Sequence, residues 1–499
     1  MVDITVLPPE IISKIFEFLR HEDRLAAACV CKQWLDLAFS PKFCRRLCLQ
    51  LNTNSKFTAL RSSIFWRRCR KVTLRCDEID NENLQIIIDF LKNAPLEWFH
   101  IDGDSVVVKE LLGSDMQHMT HLSLYLHYNA GHGSEADFNI NFNSVKYLNL
   151  RAPIGRYLSL NVNCPNLIAV NMVVVNDECV PVITSLRTQL QGLEISAPSS
   201  VFLKQLAKET FENLTTLSLW VAPHGNDIEQ VLEKVPHLED LCLNVGYTDT
   251  SVGACFTVLK HLKRLTLIGM TIDIVAFFGT LNSIKRLQML SLERCNFTTE
   301  ETNQASSIAS ESVTNFRLSN ECDHYVMPSF PNLEELAFLY SCQPTVDVLG
   351  VICQQYPKLI KLNFGGNPGL ISMFHTETSI INFKKLRHLK SVQFSRMSLE
   401  NYDWITCGEL KIQKLRLVGC MIDGTGALQI VQTFTGLREF FIDNSYLRQP
   451  SEVFDIDEGC TKGLRTYLPH CRVSYYDCHI EAPYNMCGGR KHPSGGLTL

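Results

Sequence analysis

Leucines recur at fixed positions through the middle of the chain and divide it into short copies of one pattern. Four copies have the spacing Leu-x-x-Leu-x-Leu, and they begin at Leu214, Leu238, Leu262 and Leu287. Successive copies are offset by 24 or 25 residues. In an extended strand, side chains alternate between two faces, so the last two leucines of each copy point to one side and the residue between them to the other. Each copy therefore predicts a short strand with one buried face.

The same alternation predicts strands on both sides of these four copies. Their cores are residues 72–74, 99–101, 122–124, 148–150, 170–172 and 193–195 before them, and 316–318, 336–338, 362–364, 392–394, 415–417, 440–442 and 473–475 after them. Between strands the apolar spacing changes to that of a helix face, as at Ile228, Val231 and Leu232. One copy cannot bury its apolar side alone, so copies must stack. A period of this length is typical of leucine-rich repeats. The predicted fold is an α/β leucine-rich-repeat horseshoe solenoid with a curved parallel sheet and outer helices.

A long step of 30 residues separates the strand cores 362–364 and 392–394. It predicts an insertion around residues 366–388, and residues 365–369 have the glycine-rich composition of a loop.

The first 50 residues do not follow the repeat and predict three short helices. Leu7-Pro8-Pro9-Glu10 opens the first helix, because proline is tolerated in a first turn and an acid there suits the helix dipole. This helix carries more apolar side chains than one stripe can bury, and residues 21–23 end it. The surplus has two explanations that the residues leave open. It packs on the repeats as a cap, or it is a docking surface for another protein.

The N-terminal residues also match a known motif. Leu7-Pro8-x-Glu10-Ile11, Ile15-Phe16, Leu19, Asp23, Ala27 and Val30-Cys31-Lys32-x-Trp34 resemble the F-box motif position by position. Arg24 departs from it, since the family usually has an apolar residue there. The resemblance implies a three-helix module that binds the Skp-type adaptor of a cullin–RING ubiquitin ligase. By this resemblance, the adaptor interface and its support consist of Leu7, Pro8, Ile11, Ile15, Phe16, Leu19, Val30, Cys31 and Trp34.

Cys295 and Cys420 stand at the ninth position of Leu-x-x-Leu-x-Leu-x-x-Cys. This resembles the cysteine-containing repeat common in proteins that combine an F-box with leucine-rich repeats. We therefore predict an F-box at residues 1–50, a helical junction at 51–71, leucine-rich repeats at 72–478 and a C-terminal tail at 479–499. Residues 59–66 predict a helix in the junction, and the absence of a Gly/Ser- or Pro-rich linker predicts a rigid connection.

Composition and charge narrow the partners and the compartment. A formal charge of −5 argues against nucleic-acid and anionic-membrane partners. The sequence has neither a secretory signal nor an apolar run long enough to span a bilayer. The 20 cysteines are scattered singly, which favours reduced thiols in the cytoplasm or nucleus. The Cys and His residues near the C-terminus lack the close pairing that zinc requires. We expect no metal, no cofactor and no enzymatic activity.

Large amphipathic side chains at exposed strand positions are candidates for target binding, because solenoids bind partners on their concave face. They are Trp98, His100, Tyr125, Tyr147, Arg151, Glu194, Trp220, Arg264, Glu293, Lys361, Arg416 and Phe441.

Together these features predict the substrate-recognition subunit of a Skp–cullin–F-box ubiquitin ligase, itself non-catalytic. The F-box would dock on the adaptor and cullin, with their RING protein, and the repeats would hold an unidentified target for ubiquitination and proteasomal degradation. One alternative is a protein-interaction scaffold whose helical module only caps the repeats. Another is a receptor gated by a small molecule.

Overall fold

A computed structural model gives the fold. The structure describes residues 7–19, 21–44, 48–53, 55, 57–58, 60, 69–76, 79–114, 116–127, 136–151, 158–173, 177–196, 199–220, 225–248, 253–298, 310–320, 328–340, 348–366, 385–396, 411–420, 433–434, 436–443, 472–476 and 496–498. The chain forms two compact units, one of Met1–Leu214 with Cys487–Leu499 and one of Thr215–Met486.

Short helices build the N-terminal module of the first unit. They are α1 Pro9–Phe18, α2 His21–Ala28, α3 Lys32–Ala38 and α4 Pro41–Cys44. Helix α1 begins at Pro9 with Glu10 in its first turn, as the sequence predicts. The core of the module consists of Ile12, Phe16, Ala28, Ala38, Phe39, Phe43 and Cys44. Two details differ from the prediction: α2 already begins at His21, and α4 adds a turn of helix after α3.

The rest of the first unit is a parallel sheet with flanking helices. Its strands are β1 Cys48–Leu51, β2 Lys71–Cys76, β3 Trp98–Asp104, β4 His121–His127, β5 Ala136–Asn141, β6 Tyr147–Arg151, β7 Leu158–Asn163, β8 Ala169–Val173 and β9 Gly192–Ser196. Strands β1, β2, β3, β4, β6, β8 and β9 pair in that order, each parallel to the next. Val72, Phe99 and Leu122 lie in register on neighbouring strands and are buried. The core is therefore formed by alternate residues of each strand, which all point to the same side of the sheet.

The helices of this part are α5 Asn81–Asn93, α6 Ser105–Leu112, α7 Val180–Ser185 and α8 Ser200–Leu206, with a 3-10 turn at Asp177–Cys179. Side chains cap three of them. Asp80, Asp104 and Ser199 accept hydrogen bonds from backbone N–H groups in the first turns of α5, α6 and α8. Such caps satisfy donors that have no partner within the helix.

Two strands stand where the sequence analysis expects outer helices. Strands β5 and β7 pair in parallel as a separate sheet, with Phe138 opposite Leu160. Phe138 and Ile140 are buried and the intervening Asn139 is exposed. This alternation has the period of a strand and not of a helix, which explains the departure from the expected helices.

The second unit has the same repeating organisation. Its strands are β10 Thr216–Trp220, β11 Asp240–Thr248, β12 Arg264–Asp273, β13 Met289–Glu293, β14 Asn296–Thr298, β15 Asn315–Asn320, β16 Glu335–Tyr340, β17 Lys361–Gly366, β18 Ser391–Ser395, β19 Lys414–Val418, β20 Glu439–Asp443 and β21 Arg472–Tyr476. Its helices are α9 Gly225–Leu232, α10 Ile274–Leu281 and α11 Val348–Gln355, with a 3-10 helix at Gly253–Val258. Leu217, Leu241, Leu265 and Leu290 lie in register and are buried. Every predicted strand core lies within a strand, and the predicted leucine-rich-repeat fold is confirmed in both units.

Three short segments differ from the prediction. The sheet begins with β1, one strand before the predicted start of the repeats at residue 72. Within the predicted tail, β22 Gly496–Thr498 pairs with β1. Gly365 and Gly366 extend β17, opposite Leu339 and Tyr340, whereas their composition predicts a loop.

Three predicted features lie outside the described residues. These are nearly all of the junction helix at 59–66, residues 367–384 of the predicted insertion, and the Cys- and His-containing segment near the C-terminus.

Candidate protein-interaction surfaces

Helix α1 presents apolar side chains on two different faces. Ile12 and Phe16 point into the core of the module and are buried. Ile11 is 49% exposed and Phe18 is 81% exposed. The helix therefore has one apolar face that the chain covers and another that it leaves open to solvent.

Two other apolar side chains of the module are exposed as well. Ile15 is exposed on the helix, and Val30, in the turn between α2 and α3, is 58% exposed. A soluble protein seldom leaves several large apolar side chains of one small module in water, unless another molecule covers them. We call Ile11, Ile15, Phe18 and Val30 the α1 surface.

The predicted adaptor residues fall into three classes of burial. Pro8, Ile11, Ile15 and Val30 are exposed; Leu7, Leu19, Cys31 and Trp34 are half-buried; Phe16 is buried. Leu7, Leu19 and Trp34 pack against the core of the module. The Phe16 ring lies in that core, so it supports the surface from within. Phe18 is the most exposed large apolar side chain that the structure describes, yet the F-box resemblance does not single it out. Its signal in the sequence was the apolar surplus of the first helix.

A carboxylate ties α1 to α4. Glu17 forms ion pairs with Lys42 of α4 and with Lys14, one turn earlier on α1. The hydrogen bond from Lys42, and then that from Lys14, lowers the pKa of Glu17 to about 2. Glu17 therefore stays ionised at physiological pH, and its exposed ion pairs link α1 to α4 weakly.

Aromatic rings cluster on the exposed face of the sheet in the first unit. The rings of Trp98 and His100 stack with centroids 5.9 Å apart, and Tyr125 meets His100 edge-on at 4.9 Å. On the neighbouring strands, His121 and Tyr147 stack at 4.3 Å. These five residues lie on β3, β4 and β6, and we call them the aromatic patch. Four of them, Trp98, His100, Tyr125 and Tyr147, are predicted candidates, and the structure brings them together with His121.

Charged groups border the aromatic patch. The guanidinium of Arg151 lies over the Tyr125 ring, 5.2 Å from its centroid. Asp102 is shared between His127 and Arg75, whose Nε lies 3.7 Å from the carboxylate. These contacts join the rings of the aromatic patch to charged side chains of the same sheet.

The histidines of the aromatic patch favour their neutral form. Burial lowers the pKa of His100, although Asp102 opposes the effect. His100 Nδ1 also lies 2.9 Å from the Ser123 hydroxyl. Burial, and then the positive charge of Lys71, lowers the pKa of His121. At neutral pH the rings therefore offer a mostly uncharged surface.

The exposed face of the second unit is dominated by ion pairs between neighbouring strands. Arg264 pairs with Asp240, Lys361 with Glu335, and Arg317 with Glu293. Thus three predicted candidates, Arg264, Glu293 and Lys361, are held by charges of the same sheet. Such pairs stabilise the array weakly and neutralise the face that carries them.

The remaining candidates of the second unit are aromatic or lie against an aromatic ring. The Arg416 guanidinium lies 4.7 Å from the centroid of the Phe441 ring. The Trp220 indole nitrogen donates to the Ser218 hydroxyl at 3.2 Å, and its ring is 42% exposed. In the first unit, Glu194 accepts a hydrogen bond from the Asn171 amide at 3.0 Å.

The described part of the chain shows neither a metal-binding cluster nor a membrane-spanning helix. Within it, no group of three or more His, Cys, Asp or Glu side chains is placed to hold a metal ion. No described helix combines the length and the apolar character needed to cross a bilayer. Cys295 is buried, and burial raises the pKa of its thiol to about 11, as suits a core residue.

A comparison with protein families identifies the N-terminal module. A family described as F-box-like matches residues 4–50. The match spans all four helices and the start of β1. None of the curated proteins matches the chain.

Three solved structures are similar to this chain at low sequence identity. A leucine-rich-repeat protein of Leptospira interrogans is 15% identical, with 85% of this chain and 100% of that chain covered and a TM-score of 0.38. TLR13 in a complex with ssRNA13 is 14% identical, with 88% and 75% covered and a TM-score of 0.42. An internalin of Listeria monocytogenes is 12% identical, with 85% and 93% covered and a TM-score of 0.32.

Proposed function

We propose that this chain, an F-box protein with leucine-rich repeats, is the substrate-recognition subunit of a Skp–cullin–F-box ubiquitin ligase. In this role the F-box binds a Skp-type adaptor, which joins the chain to the cullin and its RING protein. The repeats bind a target protein, which is then ubiquitinated and degraded by the proteasome. The chemistry of ubiquitin transfer belongs to the other subunits, so this chain supplies proximity and orientation.

The observation that carries the proposal is the α1 surface. Its four apolar side chains are exposed on a module that matches an F-box-like family, while Ile12 and Phe16 fill the core beneath them. A module that only capped the repeats would turn these side chains inward. Burying them against an adaptor would remove apolar area from water, at about 25 cal/mol per Å².

For the target, we propose the aromatic patch of the first unit as the main contact. Trp, Tyr and Arg side chains are the residues that most often dominate binding energy at interfaces. Here Trp98, Tyr125, Tyr147 and Arg151 lie on adjacent strands and are positioned by ring contacts among themselves and with the two histidines. The paired charges on the exposed face of the second unit are less suited to bind a target, because each of these cations already has a carboxylate partner in the same sheet.

The test is adaptor binding by a charge placed in the α1 surface. Ile15→Asp puts a carboxylate into the proposed interface and should cost about 3 kcal/mol of binding, or roughly a hundredfold in affinity. The free energy of unfolding should fall less than the free energy of adaptor binding, because Ile15 is only partly buried (38% exposed) in the free chain. Co-purification with a co-expressed Skp-type adaptor, and titration calorimetry, measure the loss.

A matched variant controls for the added charge. Val201 on α8 is 52% exposed in the same unit, so Val201→Asp adds the same carboxylate away from the F-box-like module. It should bind the adaptor normally. If Ile15→Asp kept full adaptor binding, or lost stability instead of affinity, the module would be a cap and the chain a scaffold without a role in ubiquitin transfer.

A further inference from the structure

A row of exposed cationic side chains lies in the turns that lead into β17, β18, β19 and β20 of the second unit. It consists of Lys358, Lys385, Arg387, Lys390, Lys411 and Arg438, which we call the basic edge. The turn segments 355–360, 385–390, 411–413 and 434–438 contain neither Asp nor Glu. A chain with a formal charge of −5 therefore carries a strip of concentrated positive charge.

Backbone hydrogen bonds hold these turns side by side. The N–H of Lys390 donates to the carbonyl of Ile360 at 2.8 Å, that of Gln413 to Lys390 at 2.8 Å, and that of Arg438 to Gln413 at 2.7 Å. These bonds extend the parallel pairing of the strands by one residue. Since paired strands lie about 4.8 Å apart, the row is about 15 Å long.

The cations at the start of two strands are neutralised by carboxylates, whereas no described carboxylate pairs with a residue of the basic edge. Lys361 pairs with Glu335, and Lys414 pairs with Glu439. None of the six residues of the basic edge forms an ion pair with a residue that the structure describes. Lys358 donates to the neutral amide oxygen of Asn332 at 2.7 Å. Like charges held at this density repel one another, and an anionic partner would relieve the repulsion.

We infer that the basic edge binds an acidic segment of a partner protein, rich in Asp and Glu and extended across the turns. An extended chain advances about 3.3 Å per residue, so about five residues would span the row. Flexible lysines tolerate the difference between this step and the strand spacing. The inference concerns a surface apart from the α1 surface and the aromatic patch, and it does not depend on the proposed function.

The same turns argue against two other anionic partners. Of their aromatic side chains, Tyr356 and Phe434 are buried and His388 is exposed, so these described turns offer a single imidazole on which the bases of a single-stranded nucleic acid could stack, and no row of rings. Their large apolar side chains, such as Leu359, Leu389 and Leu437, are buried as well. They cannot enter a bilayer as the apolar face of a membrane-binding element does.

The experiment titrates the full-length protein with a fluorescent oligoglutamate peptide at low ionic strength. The triple variant Lys358→Glu/Arg387→Glu/Lys411→Glu should bind the peptide at least about tenfold more weakly than the native chain. Raising the salt concentration should weaken native binding, because exposed charges are screened. If the glutamate variant failed to fold, as judged by circular dichroism, the variant with glutamine at the same positions would take its place.

A matched control separates the basic edge from the charge of the whole protein. Lys92→Glu/Lys109→Glu/Lys208→Glu reverses three exposed lysines of the first unit and should bind the peptide within about twofold of the native chain. Equal losses in the two triple variants, or no binding by the native chain, would overturn the inference. So would displacement of the peptide by oligodeoxyadenylate, or by phosphatidylserine vesicles, at lower concentrations than unlabelled oligoglutamate requires.

Discussion

The rings of Phe16 and Trp34 pack edge to face inside the F-box-like module, with centroids 5.5 Å apart and planes inclined at 83°. This contact joins α3 to α1, the helix that also carries Ile11 and Ile15. Phe16→Ala removes the ring from a closely packed site and should destabilise the module by about 3–5 kcal/mol. Urea unfolding followed by tryptophan fluorescence measures the change. Adaptor binding should fall in parallel, because the helix that carries Ile11 and Ile15 loses its support.

Trp34→Phe provides the comparison for that prediction. The indole nitrogen of Trp34 is buried and has no hydrogen-bond partner among the described residues. Replacing it removes an unsatisfied donor along with some apolar surface, and these effects oppose each other. The variant should therefore lose less than about 1.5 kcal/mol. A loss as large as that of Phe16→Ala would mean that the indole nitrogen has a partner that stabilises the module.

Gly365 allows two strands of the second unit to approach closely. It has a φ of +142°, and a Cβ at this position would lie 1.9 Å from the backbone oxygen of Ser395 on β18. Gly365→Ala would have to separate β17 from β18 and should destabilise the unit by about 2–4 kcal/mol. Thermal unfolding measures the loss.

Gly279 is the matched position for the same substitution. It lies inside α10, and a Cβ there would meet no heavy atom within 4 Å outside its own helix. Gly279→Ala should stabilise the protein by up to about 1 kcal/mol, since alanine is the better helix former. The two substitutions should thus shift the midpoint temperature of thermal unfolding in opposite directions. Shifts of the same sign would contradict the close approach of the two strands at Gly365.

Periodicity in the sequence accounts for most of the fold and for less of the surfaces. The spacing of leucines predicts the strands because burial of alternate side chains is a local property. It does not predict Arg294 and Arg396, whose φ angles of 52° place them where glycine is favoured, as Gly269 and Gly419 are at 67° and 60°. The backbone hydrogen bonds of the repeat array hold these positions at positive φ. They override the preference of arginine for negative φ.

The α1 surface illustrates the same limit for the interaction sites. Composition predicts that the first helix has too many apolar residues, and only packing decides that Ile12 and Phe16 are covered while Ile11 and Phe18 are open. The aromatic patch likewise depends on strand register. Register places His121 beside Tyr147, although the two are far apart in the sequence.

The neutral state of His100 predicts a pH dependence of stability. Its pKa is lowered from the ordinary value of 6.5 because burial penalises the charged form. Below pH 6.5, His100 is protonated in the unfolded chain but stays largely neutral in the folded chain. Acid therefore favours unfolding. The free energy of unfolding has its full value above pH 6.5. It declines as the pH falls from 6.5 toward the pKa of His100 in the folded chain, by at most about 1.4 kcal/mol per pH unit.

Urea unfolding between pH 7.5 and pH 5.5, on the order of one unit to either side of the ordinary histidine value, measures this effect. His100→Gln should flatten the dependence, because glutamine keeps a hydrogen-bonding group near Ser123 and does not titrate. His118→Gln, at an exposed position of the same unit, should leave the slope unchanged. An unaltered slope in His100→Gln would assign the pH dependence to other groups.

Tyr147 and Trp220 distinguish the aromatic patch from the exposed face of the second unit as the site of target binding. Their exposed fractions are nearly equal, 41% and 42%, so truncation of either ring removes a similar apolar surface and should change stability little. If the target binds the aromatic patch, Tyr147→Ala should weaken its capture by about 2 kcal/mol, or roughly thirtyfold, because the ring is already fixed against His121. Trp220→Ala should capture the target normally.

Affinity purification from cells treated with a proteasome inhibitor, quantified by mass spectrometry, compares the proteins retained by each variant. Retained adaptor serves as the internal standard, since neither substitution lies in the F-box-like module. Loss of the same proteins from Trp220→Ala, with full retention by Tyr147→Ala, would move the target site to the second unit.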